Sequence, residues 1–323
     1  MEKITRMTET KITGGVEVSV IICIRNLEDI AESLVSSVMK AMDRLNASHE
    51  LLLVDDASGD DTIRHLRALA SAEPRVKLLK MRSPAGPAAA LSAGLDYSTG
   101  EKILFYNAKV HANPEAFPRL IKALESAELV MGWRTPRRDS LLNRGASWLF
   151  NRLARTVQTG TKVHDINSGL FGTYRTVLER IVYYGDLYNF IPVMAMQQGY
   201  RVAEIKVEQL PGKFRKSIYA GEYLQRLLDI LTVVFLSRYS KKPIHFLGFV
   251  GSFFIIAGFS IEMYLFIYRI LGMGPIAGRP LLLLGAILLV IGIQMISIGL
   301  LGEMIIFTHA GDIDEYNIEE IVE

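Results

Sequence analysis

Short apolar runs alternate with segments of helical periodicity through the first two hundred residues. Five apolar runs have the length of a strand and are predicted as β-strands: Val18–Ile24, Leu51–Val54, Val76–Lys80, Lys102–Tyr106 and Leu129–Gly132. Four segments between them are predicted as helices: Ile30–Leu45, Thr62–Ala72, Ala88–Tyr97 and Pro114–Ser126. This alternation implies right-handed crossovers and therefore predicts an α/β domain with a doubly wound, mostly parallel sheet.

Ligands of such sheets bind beyond the carboxyl ends of the strands. The segment Asp55–Asp61 is the most specific of those ends, because a strand finishes in two carboxylates before a turn of small residues. Such carboxylates can accept hydrogen bonds from the base or ribose of a nucleotide. The same residues also suit a turn that caps the next helix and binds nothing. No phosphate-binding GxxxxGK[ST] or GxGxxG motif follows a predicted strand, so those nucleotide-binding classes are not predicted.

The pattern changes beyond about residue 215. Glu222–Leu236 is amphipathic and precedes a basic stretch, which favours a helix at a bilayer surface over an ordinary core-facing helix. Phe246–Tyr268 and Leu281–Ile306 are each long and apolar enough to span a membrane. The short connection between them, Arg269–Pro280, predicts a transmembrane hairpin. Basic residues before the first span place the large domain in the cytoplasm, as expected for a multi-pass protein of the inner membrane.

These boundaries define five predicted parts: a polar segment 1–15, a sheet domain 16–215, a juxtamembrane helix 216–243, the spans 244–307 and an acidic cytoplasmic tail 308–323. Glycines recur every seven residues on one face of each span, at Gly251 and Gly258 in the first and at Gly285, Gly292 and Gly299 in the second. Small residues in a row permit close helix contact, either within the hairpin or between subunits. A homo-oligomer is therefore predicted, although glycine is also simply common in membrane helices.

Composition and charge exclude several other classes. The net charge is only +2, which argues against nucleic acid as a partner. Cys23 is the single cysteine, so an internal disulfide and a cysteine-based zinc site are both excluded. His111 and His164 lack the paired spacing of metal ligands. No metal site is predicted from the residues.

Several motifs, in order along the chain, resemble family 2 glycosyltransferases of the polyprenyl-phosphate sugar synthase type. Val18–Ile30 resembles their opening strand and turn, and Asp55–Thr62 resembles their DDGSTDGT turn. Ser83–Gly94, Leu142–Arg155 and Asp165–Arg175 resemble three later segments, and the apolar hairpin fits as well. The resemblance implies a GT-A-like fold. It also implies transfer of a hexose from a nucleotide-diphosphate sugar to a polyprenyl phosphate, of the undecaprenyl type, at the cytoplasmic face.

The chain departs from this family at its metal motif. The family's Asp-x-Asp after the fourth strand would bind Mg²⁺ or Mn²⁺, but here the sequence is Asn107-Ala108-Lys109. Neither replacement is a good ligand for a divalent ion that prefers anionic oxygen. The opening turn also departs, because the family's Tyr-Asn-Glu is Arg25-Asn26-Leu27, which implies altered recognition of the base.

The resemblance assigns candidate roles to residues of this chain. The catalytic candidates are Asp165, Lys109 and Asn107. The candidates for binding the donor nucleotide are Arg25, Asn26, Asp55, Asp56, Ser58 and Gly86. The candidates for binding the acceptor phosphate are Arg134, Arg137, Arg138, Arg144, Lys213, Arg215, Lys216, Ser217 and Tyr219.

Two interpretations of the missing carboxylates remain open at the level of sequence. In the first, Lys109 compensates the charge of the donor diphosphate directly and the protein is a metal-independent transferase. In the second, turnover is lost and the protein serves as a membrane scaffold, binding protein or regulator. Lysine is a point charge on a flexible stem, which makes it a weaker substitute for an ion that bridges two phosphates. A basic surface without phosphate binding is a further possibility for the arginines of 134–155.

Overall fold

The computed structural model describes residues 16–136, 163–181, 185–211, 243–276 and 278–309. The chain divides into two compact units, Met1–Val233 and Val234–Glu323. The predicted juxtamembrane helix Glu222–Leu236 and the two terminal segments lie outside the described residues.

The first unit contains a seven-stranded sheet. Its strands in chain order are β1 Val18–Ile24, β2 His49–Asp55, β3 Val76–Lys80, β4 Lys102–Asn107, β5 Leu129–Arg134, β6 Leu170–Tyr174 and β7 Val202–Val207. Their order across the sheet is β3-β2-β1-β4-β6-β5-β7. Only β6 runs antiparallel to its neighbours β4 and β5, and every other pair is parallel. The predicted doubly wound, mostly parallel α/β sheet is therefore confirmed.

In the described part of the first unit, six helices accompany these strands or connect them. They are α1 Ala31–Met42, α2 Thr62–Ala72, α3 Gly86–Tyr97, α4 Phe117–Ala123, α5 Arg175–Arg180 and α6 Ile191–Gln197. Single 3₁₀ turns occur at Ala108–Val110 and Pro114–Ala116, and a longer 3₁₀ segment at Gly185–Phe190. The one helix predicted at Pro114–Ser126 is thus a 3₁₀ turn followed by the shorter α4. Pro118, in the first turn of α4, has no amide hydrogen with which to continue the preceding turn.

Strands β1, β2 and β4 lie in the interior of the sheet and contribute much of the hydrophobic core. Every residue of β1 and β2 is buried, as parallel strands covered on both faces require. The helices cover the faces with aliphatic side chains such as Val38 of α1 and Leu120 of α4. On α3, a Cβ at Gly94 would collide with Ile21, so a glycine there lets the helix pack closely on β1.

The second unit contains two long apolar helices, α7 Pro243–Ile270 and α8 Pro280–His309. Both are long and apolar enough to cross a membrane. Only 11% of the most apolar window of each helix is buried, unlike the core helix of a soluble domain. The helices extend the predicted spans by a few residues at each end.

Glycines bring the backbones of α7 and α8 into direct contact. A Cβ at Gly251 would lie 2.7 Å from the carbonyl oxygen of Gly292, and one at Gly258 would lie 2.7 Å from that of Gly285. A Cβ at Gly299 would similarly meet the first turn of α7. The heptad glycines therefore form a seam within one chain, which is the first of the two arrangements predicted. Because these glycines face each other within one chain, they do not support the predicted homo-oligomer.

Candidate active site

The register of the sheet brings three strand ends together. Along β1, Ile24 pairs with Asp55 of β2, while the preceding residue, Cys23, pairs with Asn107 of β4. The turns that follow these positions therefore share one edge of the sheet, where ligands of this fold class bind. Most of the candidate donor-binding residues and two of the catalytic candidates belong to these turns or strand ends. They are Arg25, Asn26, Asp55, Asp56 and Ser58 for the donor, and Asn107 and Lys109 for catalysis.

Asn26 and Asp55 fix the turns after β1 and β2 to each other. Asn26 has a φ of 52°, a left-handed conformation that asparagine tolerates better than most residues. Its amide N–H donates to Ser58 Oγ at 3.0 Å, and its side-chain Oδ1 accepts from the N–H of Gly59 at 2.8 Å. The carboxylate of Asp55 accepts hydrogen bonds from the backbone N–H and the hydroxyl of Ser58. This network holds Ser58 rigidly at the site.

Asp56 links the same edge to α3. Its side chain is buried, and Oδ1 accepts from the N–H groups of Ala85 and Gly86 at 2.7 and 3.0 Å. Gly86 has a φ of +83°, which glycine adopts without strain. Arg25 Nη1 lies 3.7 Å from Asp56 Oδ2, so the cation that replaces the family's tyrosine forms an ion pair here. One carboxylate thereby joins the ends of β1 and β2 to the start of α3.

The end of β4 carries the departure from the family motif. The N–H of Lys109 donates to Asn107 Oδ1 at 3.2 Å, so the amide of Asn107 caps the 3₁₀ turn Ala108–Val110. His111 then adopts a φ of 50°, and its burial lowers the pKa of the imidazole. Asn107 is buried, while Lys109 is exposed. The turn therefore presents an ammonium group where a metal-binding motif would present carboxylates.

The charges of this edge act on the buried thiol of Cys23. Burial, together with the negative charge of Asp56, raises the pKa of Cys23 to about 12, while Lys109 opposes the rise. Asp55 and Arg25 act on the same thiol with smaller effects. Two anionic and two cationic groups therefore lie around one point near the end of β1.

The donor set at this edge does not fit a divalent metal ion. Among the described residues, no group of three or more His, Cys, Asp or Glu side chains could hold one. Asn107 Oδ1 already accepts a hydrogen bond, and the ammonium of Lys109 repels cations. The segment Asn107–Lys109 therefore offers no carboxylate to a divalent metal ion.

Arg134 and Asp165 form a buried ion pair. Arg134 Nε and Nη2 donate to the two carboxylate oxygens of Asp165 at 2.8 and 3.0 Å, and Nη2 also donates to the carbonyl oxygen of Asn167 at 2.6 Å. Arg134 is 5% exposed and Asp165 is 1% exposed. Each side chain is thus bound by the other. The role of Arg134 in binding the acceptor phosphate and the role of Asp165 in catalysis stay predictions.

The other candidate residues for binding the acceptor phosphate are outside the described residues. They are Arg137, Arg138, Arg144, Lys213, Arg215, Lys216, Ser217 and Tyr219.

Two side chains near the site, one buried and one nearly buried, form hydrogen bonds that the sequence did not predict. Gln209 is fully buried, and its Nε2 donates to the carbonyl oxygen of Val110 at 3.1 Å, directly after the Lys109 turn. Glu204 on β7 binds the backbone of His164 and Asp165. The segment Gln209–Tyr219 resembles a family segment that begins with histidine, so the replacement at Gln209 is a signal that the sequence does contain. Glu204 gave none, because its partners lie about forty residues away in the sequence.

Solved structures identify the class of fold that this sheet and its edge define. Glucosyl-3-phosphoglycerate synthase from Mycobacterium tuberculosis, in complex with Mn²⁺, uridine diphosphate and phosphoglyceric acid, aligns with a TM-score of 0.53 at 20% identity, over 69% of this chain and 78% of that one. Mannosyl-3-phosphoglycerate synthase from Rubrobacter xylanophilus aligns with a TM-score of 0.53 at 12% identity, over 68% and 74% of the two chains. The fold is that of the GT-A-like glycosyltransferases.

The sequence narrows this class to a family. The model of glycosyl transferase family 2 matches residues 19–182. Dodecaprenyl-phosphate galacturonate synthase of Rhizobium johnstonii is 31% identical over 305 residues, which cover 92% of this chain and 90% of the relative. The chain belongs to glycosyl transferase family 2, and its relative is a polyprenyl-phosphate sugar synthase.

Proposed function

We propose that this protein transfers a sugar from a nucleotide-diphosphate donor to a polyprenyl phosphate at the cytoplasmic face of a membrane. The observation that carries the proposal is the 31% identity to dodecaprenyl-phosphate galacturonate synthase along nearly the whole of both chains. Two apolar helices that can enter a bilayer suit an acceptor that resides there. The relative is a synthase, which favours transfer over the alternative of a catalytically inactive scaffold.

The reaction requires little from the protein beyond positioning and charge. An oxygen of the acceptor phosphate forms a bond to C1 of the sugar, while the bond from C1 to the diphosphate oxygen breaks and the nucleoside diphosphate leaves with the electron pair. The acceptor phosphate is already ionised near neutral pH, so its attack needs no general base. The main demand is stabilisation of the negative charge that develops on the leaving diphosphate.

In this proposal, Lys109 meets that demand and no divalent ion is required. The chemistry at the end of β4 supports the idea, because an exposed ammonium group replaces the carboxylates of a metal site. Arg25, Asn26, Asp55, Asp56, Ser58 and Gly86 would surround the nucleotide. Asp165 would shape the site through its pair with Arg134 rather than by touching the substrate. The sugar itself is proposed to be a hexose or a hexuronate, since the relative is named for galacturonate.

The test is transfer by the purified full-length protein in detergent. Radiolabelled UDP-galacturonate, UDP-glucose and GDP-mannose would each be incubated with dodecaprenyl or undecaprenyl phosphate, with Mn²⁺ or with EDTA. We expect a labelled lipid product from at least one donor, formed equally well in EDTA. A product that appears only with Mn²⁺ would contradict the metal-free site. No product from any donor, together with no binding of any nucleotide, would contradict the transferase itself.

A further inference from the structure

Glu204 is a nearly buried carboxylate for which the proposed reaction has no use. Its side chain, on β7, is only 10% exposed. Oε1 accepts hydrogen bonds from the backbone N–H groups of His164 and Asp165 at 2.7 and 3.1 Å, and Oε2 lies 2.8 Å from His164 Nδ1. A carboxylate that accepts bonds from two successive backbone N–H groups fixes the path of the chain at that point.

The ring of His164 is held on a second side. It stacks on Trp133 of β5, with ring centroids 4.5 Å apart and an interplanar angle of 12°. Lys206 Nζ lies 5.2 Å from the centroid of the same indole ring. The segment that begins at His164 is therefore anchored to both β5 and β7.

This segment supports the turn that carries Lys109. Asp165 is bound by Arg134, which also reaches the carbonyl oxygen of Asn167. The carbonyl oxygen of Gly169 then accepts a hydrogen bond of 2.7 Å from the N–H of Asn107. A Cβ at Gly169 would lie 2.9 Å from Val110 Cγ1 and 3.2 Å from Asn107 Cβ, so the two segments are in close contact.

We infer that Glu204 is a positioning residue for the transfer reaction. It holds residues 164–169 in place, and these residues seat the Asn107–Lys109 turn against the donor. The catalytic part of this inference rests on the proposed function, whereas the ordering of residues 164–169 is a property of the fold. A displacement of about 1 Å in a positioned group can reduce a rate about a hundredfold, so the anchor is expected to matter even though it does not touch the substrate.

The chain offers a matched control in Glu128. Its carboxylate accepts a 2.7 Å hydrogen bond from the backbone N–H of Arg201 and pairs with that residue's guanidinium group. Glu128 precedes β5 and Arg201 precedes β7, so this anchor lies at the amino-terminal ends of the two strands, away from the carboxyl-terminal edge that forms the candidate site. Glu128→Ala removes a similar contact away from the candidate site.

The experiment compares Glu204→Ala, Glu204→Gln and Glu128→Ala in the full-length protein. We expect Glu204→Ala to lower kcat at least about tenfold. The Kd of the nucleoside diphosphate should rise less than it does in Lys109→Ala, because the ammonium group is displaced rather than removed and the turns at Asp55 and Asp56 are fixed independently. Glu204→Gln should recover most of kcat, since an amide oxygen can accept the same backbone hydrogen bonds. Glu128→Ala should leave both quantities unchanged.

Hydrogen exchange separates this inference from the proposed function. Glu204→Ala should speed amide exchange in the peptide that contains residues 164–169, and Glu128→Ala should not. If the wild type transfers no sugar, the proposed function fails, but exchange still tests the anchor. Unchanged exchange and unchanged kcat in Glu204→Ala would overturn the inference. If Glu204→Ala does not fold, His164→Ala serves instead, with a smaller expected loss of kcat because the backbone hydrogen bonds to Glu204 remain.

Discussion

At the scale of single residues, the proposed reaction depends most on two side chains at the end of β4, those of Asn107 and Lys109. An amide that caps its own turn and an exposed ammonium group stand where a related metal site would hold two carboxylates. Lys109 carries the charge of that turn, and Arg25 forms an ion pair with Asp56. In the proposed reaction, the positive charge of Lys109 contributes to neutralising the leaving diphosphate.

Replacement of Lys109 by alanine tests that dependence. We expect Lys109→Ala to reduce kcat about a hundredfold, because removal of one group that stabilises developing charge commonly costs that much. The Kd of the nucleoside diphosphate, measured by titration calorimetry in EDTA, should also rise. Lys40→Ala, on the opposite side of α1 from the core, is the control and should change neither value. Unaltered nucleotide affinity in Lys109→Ala would mean that Lys109 does not contact the diphosphate.

At the scale of elements, a second carboxylate ties strands together at the end of the sheet away from the site. Glu50 Oε1 accepts from Ser19 Oγ at 2.7 Å and from the backbone N–H of Thr99 at 2.6 Å, and Oε2 pairs with Lys77 Nζ at 2.6 Å. These bonds connect β1, β2 and β3 to the turn before β4. Burial alone would raise the pKa of Glu50, but the hydrogen bonds from Lys77, Ser19 and Thr99 outweigh it and the net pKa is lowered.

A lowered pKa in the folded state gives Glu50 a pH-dependent contribution to stability. The contribution is complete above the ordinary pKa of 4.5 and is lost as the pH falls through the lowered value. At pH 7, Glu50→Gln should reduce stability by about 2 kcal/mol, because the pair with Lys77 is lost. The measurement is thermal unfolding in detergent at pH 7 and pH 4, and the difference from wild type should be smaller at pH 4. Glu73→Gln, at an exposed ion pair, should leave Tm unchanged.

The hairpin yields a prediction at the same scale. A Cβ at Gly292 would lie 2.6 Å from the carbonyl oxygen of Gly251 and 2.9 Å from the backbone nitrogen of Ile255, so Gly292→Val must separate α7 from α8. We expect a lower Tm in detergent and faster proteolysis of the hairpin. Gly248→Val is the matched control, because the nearest atom to its Cβ is a flexible methyl group at 3.7 Å. Equal Tm values for the two variants would contradict the glycine seam.

The elements that local sequence patterns could predict are those whose apolar residues recur with the spacing of a strand or a helix. The bounds of β1, β3 and α2 were predicted to the residue. The strands β6 and β7 were missed: β6 is a five-residue strand interrupted by Gly172, and its antiparallel insertion between β4 and β5 is fixed by contacts distant in sequence. Local patterns were likewise sufficient for only part of the candidate site. Asp55 and Asp56 could be predicted because they directly follow a predicted strand. The contacts of Glu204 could not, because they depend on how distant segments of the chain assemble.

At the scale of the whole molecule, the chain combines a GT-A-like fold with a pair of helices that can enter a bilayer. A lipid acceptor is confined to the membrane, so an anchor of this kind raises the local concentration of acceptor near the enzyme. The proposed orientation rests on the basic residues Arg238, Lys241 and Lys242 before the first helix. In the proposed orientation, two spans return the chain to the cytoplasm, and only the connection between the helices lies on the other side.

This topology can be tested by cysteine labelling in intact cells. Cys23 supplies a silent background, because burial raises its pKa to about 12 and keeps the thiol protonated. Met273→Cys, exposed between α7 and α8, should react with a membrane-impermeant maleimide added outside the cell. Ser37→Cys, exposed on α1, should react only after the membrane is permeabilised. The reverse pattern would place the sheet domain outside the cytoplasm, where nucleotide-sugar donors are not supplied, and would contradict the proposed site of transfer.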